Sequence, residues 1–143
     1  ADLPPEESGP LREECLSRDI DVIPLLAPTC TEQRIAAACA VASGFIYCVS
    51  LAGVTGVRAQ LSQEAFGLVE RVRACTSLPV AVGFGVSRRE HVEAIGKYAN
   101  GVVVGSALID VIDSAPDGEA VARAVRFLSE LRGDSEPLNR GAG

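Results

Sequence analysis

A parallel α/β fold is what this chain of 143 residues predicts. Three observations lead there. Four short apolar runs alternate with segments of helical pattern, an order that gives parallel strands covered by helices. Three of the four runs pass directly into glycine-containing loops, at the strand ends where ligands gather in parallel βα folds. A surplus short helix follows the last run, ahead of the final helix. A doubly wound sheet and a barrel both satisfy this order.

Residues 6–18 read as a helix, with acids in the first turn and Arg18 in the last, both suited to the helix dipole. Residues 22–27 are an apolar strand in pattern, although Pro24 is awkward in a central strand. Pro28 and Thr29 turn the chain, and Thr31 opens an Ala-rich helix ending near Ser43 and Gly44. The clearest strand is 45–50, followed by the loop Gly53-Val54-Thr55-Gly56. Ser62 is expected to cap a helix with Phe66, Val69 and Val72 along one face. Residues 78–82 form the next strand, closed by Gly83-Phe84-Gly85-Val86. Ser87 then caps a helix reaching Tyr98, with Glu90 at the capping-box position. The last strand is 101–104, the short helix 107–113 and the final helix 117–131. One folded unit over 1–132 and a polar, Gly-rich, disordered tail over 133–143 complete the expected organisation.

Composition narrows the function. The formal net charge is −6. Nucleic-acid binding needs a clustered excess of Lys and Arg, which this chain lacks. A small anion stays compatible, because backbone N–H groups hold phosphate without net positive charge. No apolar run approaches the roughly 20 residues of a membrane-spanning helix, and the first residues lack the pattern of a signal peptide. The five cysteines, Cys15, Cys30, Cys39, Cys48 and Cys75, show no paired metal or redox spacing and read as reduced thiols of a cytosolic protein. The chain contains no Met and opens on Ala, which fits a chain whose beginning lies elsewhere.

The glycine loops carry the sharpest signal. Two consecutive strands end in Gly83-Phe84-Gly85 and Gly105-Ser106, and the second opens the surplus short helix. The phosphate site of barrels is built this way, from the last two loops and the N-terminus of an extra helix. N–H groups around Phe84, Gly85, Gly105 and Ser106 would face phosphate oxygens, with the Ser106 hydroxyl beside them. Each glycine taken singly is explained by a turn; the joint pattern is what points to phosphate.

The stretches 47–56 (YCVSLAGVTG), 79–87 (PVAVGFGVS) and 101–107 (GVVVGSA), in this order and separation, resemble tryptophan synthase α-chains. The opening Asp2-Leu3-Pro4-Pro5-Glu6-Glu7-Ser8 is similar to that family's segment at the end of its fourth strand. The resemblance covers Ala1 to about Arg132 and implies the C-terminal half of a TIM (β/α)8 barrel. It also implies a lyase of tryptophan biosynthesis that splits indole-3-glycerol phosphate into indole and glyceraldehyde 3-phosphate. By the same resemblance Gly56, Phe84, Gly85, Gly105 and Ser106 match the phosphate site, and Ala1 and Leu25 line the indole pocket. Tyr47 matches a side chain facing the substrate and the catalytic carboxylate, while Thr55 matches a mobile loop closing over the site. Leu51 stands where some members have Arg.

Two departures shape the expectation. The family's catalytic Glu and Asp lie in the first half of the barrel, and nothing here corresponds to them. Asp2 is the only obvious acid near a strand end and reads as a turn or interface residue; His91, the only histidine, reads as a surface side chain on a helix. A full barrel needs about 250 residues, so this chain holds the tip of strand four and strands five to eight. Two open edges and an uncovered inner face then call for the missing N-terminal half-barrel or for self-association. The expected partners are the substrate and, by resemblance, a pyridoxal-phosphate-dependent β-chain; no metal and no cofactor is expected in this chain. The alternatives are a non-catalytic phosphate-binding or assembly half-barrel, and another phosphosugar barrel such as a ribulose-phosphate epimerase or thiamine phosphate synthase.

Overall fold

The computed structural model describes Leu3 and residues 7–49, 58–83 and 85–134. Its elements follow the order α1 (Gly9–Leu16), β1 (Leu25–Leu26), α2 (Glu32–Val41), β2 (Ile46–Val49), α3 (Arg58–Arg73), β3 (Val80–Gly83), α4 (Arg89–Gly96), β4 (Gly101–Val103), α5 (Ser106–Asp113) and α6 (Ala120–Arg132). The four strands are parallel and lie in the order β1-β2-β3-β4. A doubly wound sheet reverses its strand order at a switch point, and this sheet does not. Four consecutive strand–helix units advancing in one direction are half of a (β/α)8 barrel.

Alternation along the strands sets the core. Leu26, Ile46, Cys48, Val80 and Val82 are fully buried on the face that meets the helices. α3 buries Ala65, Leu68, Val69 and Val72 against them, the i, i+3, i+4, i+7 stripe of one helix face. α2 adds Ile35, Ala38 and Cys39. The opposite face of the sheet carries Leu25, Tyr47 and Ala81 side by side in register, none of them fully buried. Leu25, 45% exposed, shows that this inner face lacks a cover within the described residues.

Several boundaries differ from the sequence expectation, each for a local reason. α1 begins at Gly9 with Pro10 in its first turn, so no acid lies in that turn, and Arg18 falls beyond its end in an ion pair with Glu14. β1 shrinks to two residues because Pro24 cannot donate; its carbonyl still accepts from Tyr47 N–H at 3.1 Å. Ser62 lies within α3 rather than capping it, since Arg58, Ala59, Gln60 and Leu61 are good helix formers and nothing among them breaks the helix. Phe66 is displaced from the buried stripe by one residue, stays 47% exposed, and meets Tyr98 edge to face at 5.6 Å. Ser87 does not cap α4. Arg88 occupies the N-cap position, which moves Glu90 out of a capping box. α5 begins one residue earlier than expected, at Ser106, and α6 begins at Ala120 after a turn closed by Glu119 N–H to Pro116 carbonyl at 3.0 Å. Gly133, assigned from sequence to the tail, ends α6 in the left-handed conformation (φ 82°), and the Asp134 N–H donates to the Ser129 carbonyl at 3.0 Å. The rest of that tail lies outside the described residues.

Candidate phosphate and apolar site

Pairing between β3 and β4 matches Gly83 with Val103, so the chain leaves the two strands side by side toward Gly85 and Gly105. Gly85 sits at φ 70°, a conformation a residue with a Cβ rarely adopts. Gly105 is the N-cap of the eight-residue α5 and contributes no side chain to its first amides. Its carbonyl accepts from Leu108 N–H at 2.9 Å and from Ile109 N–H at 3.2 Å, which winds α5 tightly from its start. Gly105 and Ser106 are exposed, so the start of α5 is open to solvent. The first N–H groups of a helix lack carbonyl partners within it, and here they open at the carboxyl end of the sheet.

Tyr47 enters from β2. It pairs with Ala81 on β3, and its side chain leans along the strand direction until the phenol lies over Gly83. A Cβ on Gly83 would stand 2.9 Å from Tyr47 Cζ and 2.9 Å from Val103 Cβ, with the hydroxyl oxygen closer still. Gly83 is therefore a space requirement, and Tyr47 is the residue that occupies the space.

On the other flank, a hollow opens at the carboxyl ends of β1 and β2. Leu25, Ala27 and Val49 supply its apolar wall; Thr29, Gln33 and Arg34 bring polar groups to its rim. The register that aligns Leu25 with Tyr47 connects this hollow to the glycine-rich side. Of the residues singled out in the sequence, Leu25, Tyr47, Gly85, Gly105 and Ser106 thus lie along one end of the sheet. Ala1, Asp2, Leu51, Thr55, Gly56 and Phe84 lie outside the described residues.

His91 lies on α4, on the helix where the sequence places it. It is half-buried, and its Nδ1 accepts the Ser87 N–H at 3.3 Å, so it acts as a side-chain acceptor at the start of α4. Asn100 stands just ahead of the 101–104 strand and carries no sequence signal of its own. Its Oδ1 accepts from Val80 N–H at 3.0 Å and from Arg73 at 3.3 Å, holding β3 at its entry. Arg34 at the rim and Arg71 behind it were equally inconspicuous, because neither breaks its helical pattern.

The cysteines are all free thiols. Burial, with smaller contributions from Cys39 and Cys30, pushes the Cys48 thiol up to about 12. Cys39 is raised as well, by burial and then by Cys75. Protonated, uncharged thiols suit the apolar core in which they sit. No group of three or more His, Cys, Asp or Glu side chains able to hold a metal occurs among the described residues. No helix among them is long and apolar enough to cross a membrane.

Fold and site together define a parallel βα half-barrel with glycine loops and a helix start gathered at the carboxyl ends of its strands. The sequence profile of the tryptophan synthase alpha chain family matches residues 1–134. The chain belongs to that family. It is 52% identical over 132 residues to the tryptophan synthase alpha chain of Roseiflexus sp. (strain RS-1), covering 92% of this chain and 51% of that relative. Against the Chloroflexus aurantiacus alpha chain the identity is 42% over 130 residues, 91% of this chain and 49% of the relative. Among solved structures, the tryptophan synthase α2β2 complex from the hyperthermophile Pyrococcus furiosus superposes with a TM-score of 0.79 at 36% identity, over 92% of this chain and 53% of that one. Tryptophan synthase from Mycobacterium tuberculosis gives 0.77 at 37% identity, over 92% and 48%. The chain spans about half the length of the curated relatives it matches.

Proposed function

We propose that these residues form the phosphate-gripping, C-terminal half of a lyase barrel that cleaves indole-3-glycerol phosphate into indole and glyceraldehyde 3-phosphate. The observation that carries the reading is the pairing of Gly83 with Val103, with Gly105 capping α5 beside it. In this reading the amides around Phe84, Gly85, Gly105 and Ser106 take the phosphate, the Ser106 hydroxyl adds a donor, and Gly56 approaches from its loop. Leu25 and Ala1 border the indole ring. Tyr47 bears on the reacting end of the substrate, and Thr55 belongs to a loop that closes over it.

Cleavage requires an acid to protonate indole C3. A base must accept protons from the indole N–H and from the glycerol hydroxyl that becomes the aldehyde. Among the described strand ends no carboxylate stands beside Tyr47 or Gly85, so the acid–base pair is assigned to the half of the barrel absent from these residues. The α2β2 assembly of the Pyrococcus furiosus protein supports a β-chain as partner. A binding module that only holds phosphate is the second reading, favoured by the open inner face at Leu25.

Calorimetric titration of the chain with inorganic phosphate and with indole-3-glycerol phosphate tests the proposal. Saturable binding that weakens severalfold in Ser106→Ala is expected, without indole release. Turnover by the chain alone would place the acids within it, and absence of phosphate binding would remove the reading.

A further inference from the structure

We propose that Arg71 is a positioning residue: it fixes the loop between β1 and α2 and so shapes the apolar wall that receives the ring of a phosphate ester. The inference rests on the substrate reading above and extends it to a residue that touches no substrate.

Residues 27–31 form a tight turn at the mouth of the hollow. Cys30 N–H donates to the Ala27 carbonyl at 2.9 Å, and Ala27 N–H meets Cys30 Sγ at 3.4 Å. Such a turn leaves carbonyls pointing away from any strand partner, and those need donors. Arg71, from the last turn of α3, supplies them. Its Nη1 donates to the Pro28 carbonyl at 3.2 Å, its Nη2 to the Cys30 carbonyl, and its Nε to Glu32 Oε1 at 2.5 Å. One planar guanidinium thus ties two turn carbonyls and the first residue of α2 to a neighbouring helix more than 35 positions along the chain.

The Arg71 side chain is 31% exposed, so these bonds are partly shielded from water. The turn that it grips presents Thr29 and Cys30 to the hollow, beside Leu25. Holding one side of the turn against α3 therefore fixes the other side, which is the wall of the hollow. A lysine brings one compact ammonium and cannot span three acceptors in the same plane.

The test uses the 143-residue chain with Arg71→Met and Arg71→Lys. Amide hydrogen exchange is read at Cys30, whose N–H is bonded within the turn, and calorimetry compares indole-3-propanol phosphate with inorganic phosphate. In Arg71→Met, exchange at the turn should rise about tenfold or more, the factor set by one lost charge-assisted bond. The preference for the indole ester over phosphate should fall by a similar factor while inorganic phosphate affinity holds, with Arg71→Lys between. Unchanged exchange overturns the clamp. Faster exchange with the preference intact reduces Arg71 to a stabilising contact and overturns the positioning role. If the unaltered chain binds neither ligand, the substrate reading fails and this inference falls with it, an outcome separable from the other two.

Discussion

Replacing Gly83 by alanine is the sharpest perturbation the structure offers. Gly83 is buried in β3 between Val49 on one side and Val103 on the other. A Cβ there comes within 2.9 Å of both Tyr47 Cζ and Val103 Cβ, and nearer still to the Tyr47 hydroxyl. Real Cβ contacts are not that short, so something must move. Val103 is held by the β3–β4 ladder, leaving the phenol as the group that swings. Overpacking of this kind costs about 1–3 kcal/mol. Because most of the clash is with one side chain, the cost should depend on it: in a Tyr47→Ala background Gly83→Ala should cost about 1 kcal/mol less. Urea denaturation followed by far-ultraviolet circular dichroism, on both single variants and the double variant, gives the cycle. A Gly83→Ala cost below about 0.5 kcal/mol, or one unaffected by Tyr47, would refute the argument that Gly83 exists to seat the phenol. Phosphate titration adds a functional readout, since Gly83 directly precedes Phe84 and Gly85.

The buried thiols predict a pH dependence. The Cys48 pKa is raised from its ordinary 9.0 to about 12, so above pH 9 the folded chain keeps a proton that the unfolded chain has released. Stability should therefore be level in this respect below pH 9 and decline between pH 9 and 12, seen as a falling urea midpoint that Cys48→Ala flattens. Alkylation at pH 8 followed by peptide mapping should label exposed Cys75 first and buried Cys48 and Cys39 only on unfolding. Thr31 Oγ1 accepts the Arg34 N–H at 3.3 Å as the cap of α2, and Thr31→Ala should cost about 1 kcal/mol in the same denaturation assay.

What the sequence by itself determined is whatever rests on neighbours a few residues apart. The alternation of apolar runs with helical pattern fixed the order of strands and helices, and Thr31 announced the cap that α2 uses. The paired glycine loops marked the end of the sheet where Gly85 and Gly105 open. The local cap signal failed at two serines. Ser62 and Ser87 are good caps in isolation, but helix-forming residues upstream absorbed the first, and the N-cap of α4 falls one residue past the second, at Arg88. The tertiary structure alone decided the rest. Strand order β1-β2-β3-β4 chose a half-barrel over a doubly wound sheet, a choice between contacts that periodicity does not encode. The Tyr47 phenol over Gly83 and the Arg71 guanidinium on the Pro28 and Cys30 carbonyls join residues 36 and about 40 positions apart. A side chain's partner at that separation is set by how helices and strands pack. Propensity fixes the elements, and only packing tells which groups they bring together.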